Sequence, residues 1–205
     1  MKKITAYCRL TDDLVILNGK PCEISFPSEP GPGRLTDIYR HLEVGYPKFF
    51  KMDNLSKAGF LASEMVLRSL QYDMETPDES TSIVFCNRSS SLDTDKRFQE
   101  TISRDNYFPS PSVFVYTLPN IVTGEVAIRN KIMGETSFFI LESFDAEKMI
   151  IFTDWAFSSA GICRVLCGWT EYLDGHCNVL VMMVEKESDK GVDFNKQNIN
   201  NIYRT

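Results

Sequence analysis

The sequence predicts an α/β protein in which helices cover both faces of a mainly parallel sheet. From residue 81 onward, apolar runs with strand character alternate with helical segments in the order βαβαβαβ, which is typical of parallel strands joined by right-handed crossovers. The apolar runs are continuous rather than alternating, which indicates strands buried on both sides. We therefore expect three layers, α/β/α, with four strands in one sheet, at 82–86, 113–116, 137–141 and 178–184.

Composition limits the classes of function. The 205 residues are 43% apolar and 24% charged, as in a soluble globular protein, so we expect one domain over 1–205 with a strand- and loop-rich leader, 1–45, and a polar tail, 186–205. The net charge of −6 argues against nucleic acid as a partner. No apolar run is long enough for a membrane span. Charges interrupt any signal-peptide core, so a cytoplasmic location is expected.

The leader is predicted to form short strands before a first helix. Asn18 and Gly19 form a turn signal between the second strand and the third. Proline and glycine dominate 27–33, which predicts a loop, and a helix follows near 35–41. The three strands of the leader are expected at 4–9, 14–17 and 22–26.

The middle of the chain predicts two helices around a buried strand. Asp53 is an N-cap residue for a helix that runs to about Gln71 and is apolar on most of its surface. The continuous apolar run from Thr81 to Cys86 predicts a central strand. An amphipathic helix is expected over 91–102.

Residues 110–141 predict a strand–helix–strand unit around which the rest of the chain packs. The strand 113–116 is followed by a helix capped by Asn120. Small residues at Gly124 and Ala127 would let another backbone come close, and Gly134 would end the helix with a positive φ. The second strand of the unit is 137–141.

The remainder of the chain predicts one long helix and one strand. A helical region is expected from Leu141 to about Leu173, before the apolar strand that ends at Glu185. The polar tail that follows is predicted to be either loose or a short helix.

Three ordered stretches within 46–141 carry a resemblance to a known family. Residues 117–120, with Pro119 and Asn120, and then Gly124, 126–129 and Gly134, resemble the stretch before the nucleophile in β-ketoacyl-[acyl-carrier-protein] synthases of the thiolase superfamily. Residues 46–57 and 87–95 resemble segments of chain-length-factor-like members. The resemblance implies a thiolase-like fold and the N-terminal half of such a synthase.

The resemblance implies a family chemistry whose residues this chain lacks. In the synthases, a cysteine at a strand tip attacks an acyl thioester, and two histidines from the second half assist. Counted from Gly134, the nucleophile position falls on Ser143, and counted back from Glu185 it falls on Phe157. The two histidines of the chain, His41 and His176, match neither catalytic histidine. A non-condensing subunit or assembly partner in fatty-acid or polyketide synthesis, including aryl-polyene synthesis, is therefore expected.

The resemblance also implies partners. The strand before the nucleophile lies at the subunit interface of thiolase-type dimers, which predicts a homodimer, or a heterodimer with a complete synthase, through Phe138, Phe139, Ile140 and Leu141. Acyl carrier proteins are acidic, and the basic residues that suit them are Lys48, Lys51 and Lys57. No cofactor is expected.

Two alternatives stay open at this point. Ser143 could serve as the nucleophile of a small acyltransferase or thioester hydrolase with His176 as base, or it could be an ordinary helix N-cap. Among the six cysteines, Cys163 and Cys167 are one helical turn apart, and Cys177 neighbours His176. A zinc site is conceivable there, but packing in apolar runs is favoured, with free thiols and no metal.

Overall fold

The computed structural model describes residues 1–26, 29, 31–102 and 108–205. The described strands are β1 (Lys3–Thr11), β2 (Val15–Leu17), β3 (Lys20–Pro21), β4 (Thr81–Asn87), β5 (Thr136–Ile140), β6 (Arg164–Leu173), β7 (His176–Glu185) and β8 (Val192–Asp193). The described α-helices are α1 (Pro32–His41), α2 (Asn54–Ser69), α3 (Leu92–Glu100), α4 (Pro111–Phe114), α5 (Ile121–Asn130), α6 (Ala146–Ser158) and α7 (Lys196–Tyr203), and a 3₁₀ helix spans Pro47–Lys51.

The strands form one sheet in the order β3-β2-β1-β7-β6-β4-β5, with β8 beside β1. Helices α2 and α5 cover one face, and α6 and α7 cover the other, so each face has its own apolar core. The predicted α/β class with three layers is therefore confirmed. The polar tail contributes β8 and α7, and α7 buries Ile199 and Ile202 against the second face.

The directions of the strands differ from the expected, mainly parallel arrangement. Among the described strands, only β4 pairs in parallel, with β5 and β6. Strand β1 pairs antiparallel with β2 and β7, and β6 pairs antiparallel with β7. The cause is a hairpin between β6 and β7, in which Asp174 and Gly175 take positive φ angles of 51° and 88°. Two such residues form the turn that suits a tight hairpin. The sheet is mixed.

Three predicted elements were wrong. Residues 113–116 lie in and after α4, with Phe114 and Val115 exposed, because Pro111 starts a helical turn and β4 already has a strand on each side. The helical region predicted from Leu141 to about Leu173 is also wrong. Helix α6 ends at Ser158, a turn follows at Gly161, where φ is 84°, and Arg164–Leu173 form β6. Residues 22–26 form no strand, and the third strand is the shorter β3.

The predicted caps and glycines have mixed outcomes. Asp53 caps α2, since its carboxylate accepts from the Ser56 N–H at 3.0 Å. Asn120 stands at the start of α5 without a side-chain cap bond, and Lys131, with φ 52°, ends that helix. Gly134 has a different role, because a Cβ there would collide with the Thr81 carbonyl of β4. Gly124 faces open space.

Close packing of α2 against α5 depends on another glycine. A Cβ at Gly59 of α2 would overlap the Val122 side chain of α5, so the absence of a side chain at position 59 lets the two helices come this close. No described helix is long and apolar enough to cross a membrane.

Candidate functional site

Strand β5 is the terminal strand of the sheet, and its outer side has no described strand partner. The Glu135 carbonyl accepts from Ile83, and the Leu141 N–H donates to Asn87 at 2.8 Å. Because backbone groups alternate along a strand, the N–H and C=O groups of Thr136, Phe138 and Ile140 point outward. Residues 136–140 contain no charge and no proline, the usual means by which an edge strand is protected.

The apolar side chains of β5 continue onto α6. Phe139 stacks on Phe152 with ring centroids 3.9 Å apart, and Trp155 lies 6.3 Å from Phe139. Trp155 is 59% exposed, and Ile151 of the same helix is 46% exposed. Ile140 is 50% exposed, and its side chain lies on the opposite face of β5 from Phe139, because successive side chains of a strand alternate between the two faces. We call these five residues, with the outer side of β5, the β5 edge surface.

The four predicted interface residues do not all reach this surface. Phe138 packs toward the core on the opposite face of the sheet, under α2 and α5. Leu141 is buried in the core beneath α6. Phe139 and Ile140 remain at the surface, while Ile151 and Trp155 were missed, because their exposure depends on how α6 packs rather than on its sequence.

The two nucleophile-equivalent candidates lie in different environments. Ser143 is exposed just after β5, three residues before the start of α6. Phe157 is buried inside α6, with the Lys2 ammonium 5.4 Å from its ring centroid. The N-cap of α6 is Asp145, which accepts from the N–H groups of Glu147 and Lys148 at 2.9 and 3.1 Å. Those donors would otherwise be available to an oxyanion.

Ser143 and His176 line one cleft of about 480 Å³, at the ends of β4, β5 and β6. His176 Nδ1 lies 2.8 Å from Asp12 Oδ2, and this hydrogen bond raises the pKa of the histidine. The floor is aromatic, since Phe144 stacks on Tyr203 at 3.6 Å. Within the described residues no hydrogen bond joins Ser143 to His176. We call this the strand-end cleft.

The cysteines of the chain are free, and most are buried. Burial raises the pKa of the Cys8, Cys86, Cys167 and Cys177 thiols, which makes them poor nucleophiles. Cys163 is exposed and lies after α6, so it shares no helix face with Cys167, which is in β6. The described residues contain no group of side chains that could hold a metal ion.

The three predicted docking lysines, Lys48, Lys51 and Lys57, line one cleft of about 620 Å³, which we call the basic cleft. The Lys48 ammonium is paired with Glu125 at 2.8 Å. A fourth cation, Arg97 of α3, lines the same cleft. It lies in a predicted amphipathic helix, but only the packing of α3 beside α2 brings it to the lysines.

The sheet with helices on both faces is the fold of ketosynthases and chain length factors, as comparison with solved structures shows. No protein-family model and no curated protein matches the sequence significantly. Among solved structures, the ishigamide ketosynthase/chain length factor matches with a TM-score of 0.69 and 15% identity, over 92% of this chain and 63% of that chain.

Two further structures support this comparison. A ketosynthase, ApeO, in complex with its chain length factor, ApeC, from Xenorhabdus doucetiae matches with a TM-score of 0.54 and 16% identity, over 71% of this chain and 63% of that chain. A type II polyketide acyl-carrier protein in complex with its ketosynthase matches with a TM-score of 0.57 and 13% identity, over 90% and 62%. The resemblance predicted from the motifs is confirmed in the fold, and the chain spans about three fifths of the length of these proteins.

Proposed function

We propose that this chain is a non-condensing, ketosynthase-like subunit of fatty-acid or polyketide synthesis that pairs with a ketosynthase, or with a second copy, through the β5 edge surface. The observation that carries the proposal is an edge strand with outward backbone groups, no protecting charge and an exposed aromatic cluster beside it. An unprotected apolar edge of this kind is normally covered by another chain. In one similar structure, a ketosynthase is in complex with its chain length factor.

Several residues argue against condensation by this chain. Neither of the two positions that the resemblance assigns to the nucleophile, Ser143 and Phe157, is a cysteine, and burial raises the pKa of the Cys86 and Cys167 thiols. Asp145 occupies two N–H groups at the start of α6, so that helix end is already neutralised by a carboxylate. Purified protein should form no condensation product from acyl and malonyl thioesters.

Replacing Ile140 with proline tests the pairing directly. The Ile140 N–H points outward, so Ile140→Pro removes a donor available to a partner strand without removing a bond to β4. Ile140→Val is the matched control, since it keeps the N–H. Sedimentation of the chain, alone and with a co-expressed ketosynthase, should show association for the wild type and for Ile140→Val, but not for Ile140→Pro. A wild type that stays monomeric at tens of micromolar in both settings contradicts the proposal.

The same subunit is proposed to receive an acidic acyl carrier protein at the basic cleft. Lys51 is exposed, and no described carboxylate lies within 4.0 Å of it, whereas Lys48 is paired with Glu125. Lys51→Glu should therefore weaken carrier binding more than Lys48→Glu does. Surface plasmon resonance with an immobilised carrier protein would measure the difference, and equal effects would contradict this part of the proposal.

A second candidate function is acyl transfer or thioester hydrolysis through Ser143. One observation favours it: His176 is held by Asp12, and both His176 and Ser143 line the strand-end cleft. A serine nucleophile needs its base within hydrogen-bond reach, so substrate would have to bring the two together. Turnover of a chromogenic acyl thioester that is lost in both Ser143→Ala and His176→Gln would establish this activity, and turnover retained in Ser143→Ala would exclude it.

A further inference from the structure

We propose that Lys57 is a reactive amine that forms a Schiff base with a small oxo acid, whose carboxylate is held by Arg97 in the basic cleft. The lone pair of the Lys57 Nζ adds to the carbonyl carbon of the acid, and one amine proton moves to the oxygen to give a carbinolamine. The carbinolamine then loses its hydroxyl group as water, with a proton from solvent, and leaves a protonated imine. Neither the proposed partner chain nor the carrier protein is needed for this step.

Lys57 occupies a position that disfavours a charged lysine. It lies in the first turn of α2, where the partial positive charge of the helix end repels a cation. The side chain is half-buried, and its ammonium lies 5.7 Å from the ring centroid of the buried Phe49. That distance is near the limit of about 6 Å for a cation–π contact, so the ring offsets little of the cost of lost hydration.

No described carboxylate lies within 4.0 Å of Lys57. Asp53 attracts it from beyond that distance, but the Asp53 oxygens already accept from the Ser56 N–H at 3.0 Å and the Thr94 hydroxyl at 2.7 Å. Arg97 of α3 lines the same cleft. Burial, and then the charge of Arg97, lower the pKa of Lys57. A larger share of this amine is therefore unprotonated and nucleophilic near neutral pH.

The other lysines of the cleft are in different surroundings. The Lys48 ammonium is paired with Glu125 at 2.8 Å, and Glu125 also accepts from the Tyr116 hydroxyl at 3.1 Å, so this carboxylate is already engaged. Lys51 is exposed, and hydration stabilises the protonated form of an exposed amine. Of the three lysines, Lys57 is therefore the one whose surroundings favour the neutral amine.

The lining of the cleft indicates the class of carbonyl compound. Arg97 has no described carboxylate within 4.0 Å, and a guanidinium can bind a carboxylate through two N–H groups. Lys57 reacts as a neutral amine, so the single charge of an oxo acid is matched by Arg97. Phe50 and Val115, which are more than half exposed, line the cleft beside them and suit a short hydrocarbon part. The cleft volume of about 620 Å³ falls within the usual range of small-molecule sites, roughly 300–1,000 Å³.

Reductive trapping with glyoxylate and cyanoborohydride tests the site, because the reductant converts an imine into a stable secondary amine. Peptide mass spectrometry at low extents of labelling, at about pH 7, would compare the rates at individual lysines. Lys57 should react on the order of tenfold faster than Lys51 of the same cleft and Lys190, a remote exposed lysine. A rate at Lys57 that does not exceed the rates at these two lysines overturns the proposal.

Two variants of α3 separate a built site from an amine that is merely accessible. Arg97→Gln should slow the labelling of Lys57 by glyoxylate about tenfold, as expected for the loss of a charge-assisted hydrogen bond, and should slow labelling by the uncharged propanal less. Lys96→Gln is the matched control, because Lys96 pairs with Asp174 and does not line the cleft, and it should change neither rate. Equal rates in wild type and Arg97→Gln, or equal slowing by both variants, contradict the role of Arg97.

The pH dependence of labelling is a readout that a purely structural role would not change. Because the pKa of Lys57 is lowered, its labelling rate should reach a plateau at lower pH than the rate at Lys51. In Arg97→Gln the profile of Lys57 should move to higher pH, since a repelling charge is gone. Profiles of Lys57 and Lys51 that coincide in the wild type would show that the cleft does not activate this amine, and would overturn the proposal.

Discussion

The two edges of the sheet differ in every feature that controls strand pairing. At one edge, β3 has two exposed residues, Lys20 and Pro21, and lysine, proline and short length each discourage another strand from adding. At the other edge, β5 has five residues, none charged, beside the exposed Trp155 of α6. The contrast indicates that the β3 edge resists the addition of a strand, whereas the β5 edge has none of these protections.

The largest expected effect is on the free energy of unfolding, and it distinguishes a substitution at the centre of the sheet from one at the β5 edge. Leu180 of β7 is fully buried, so Leu180→Ala should lower the free energy of unfolding by about 2–5 kcal/mol through lost burial and a cavity. Ile140→Ala at the edge should cost less than about 1 kcal/mol, as for a largely exposed position. Urea denaturation of both variants measures this, and equal losses would show that Ile140 stabilises the monomer rather than a contact.

The next effect concerns association. Trp155→Asp would place a charge in the centre of the β5 edge surface and should weaken pairing by on the order of 2 kcal/mol, the scale of an interface hot spot. Ile128→Asp is the control, because Ile128 is equally exposed on α5, on the opposite face of the sheet. Analytical ultracentrifugation would compare the dissociation constants. The distinction between the faces fails if Ile128→Asp dissociates the assembly to the same extent.

A smaller effect on association is expected if the residues that protect the β3 edge are replaced. Lys20→Thr with Pro21→Val gives β3 a residue able to donate its N–H and removes the charge, so light scattering should detect weak additional association. The short length of β3 keeps the effect small. Lys190→Thr removes a lysine away from the sheet edge and should change nothing. If the β3 variant behaves like this control, charge and proline are not what protects the edge.

The smallest effect is a pH dependence of stability at the exposed β6–β7 hairpin. Asp12, at the end of β1, holds His176 on the β6–β7 hairpin and raises its pKa. A raised pKa in the folded state means that the protonated pair stabilises the protein fully below the unfolded pKa of about 6.5. That contribution is lost as pH rises through the folded pKa. The stability difference between wild type and His176→Gln should therefore be larger at pH 5.5 than at pH 8.5, and an unchanged difference would contradict the pair.

Local patterns in the sequence were sufficient to predict most of the helices and strands around the core. Asp53 marked the start of α2, and the apolar runs marked β4, β5 and β7, because capping and continuous apolar composition act over a few residues. The same information misassigned β6. A buried apolar run fits a helix or a strand equally well by periodicity alone, and only the hairpin partner on β7 decides between them.

The sequence alone was enough to predict a core on each face of the sheet and a group of lysines near the start of α2. The tertiary structure determines which of the charged side chains are paired and which lie close together. It pairs Lys48 with Glu125, brings Arg97 beside Lys57, and joins Asp12 to His176 across 164 positions of the chain. It also places β5, rather than another apolar strand, at the open edge. Exposure and ion pairing depend on which strands and helices become neighbours, and strand order is set by the packing of the whole sheet.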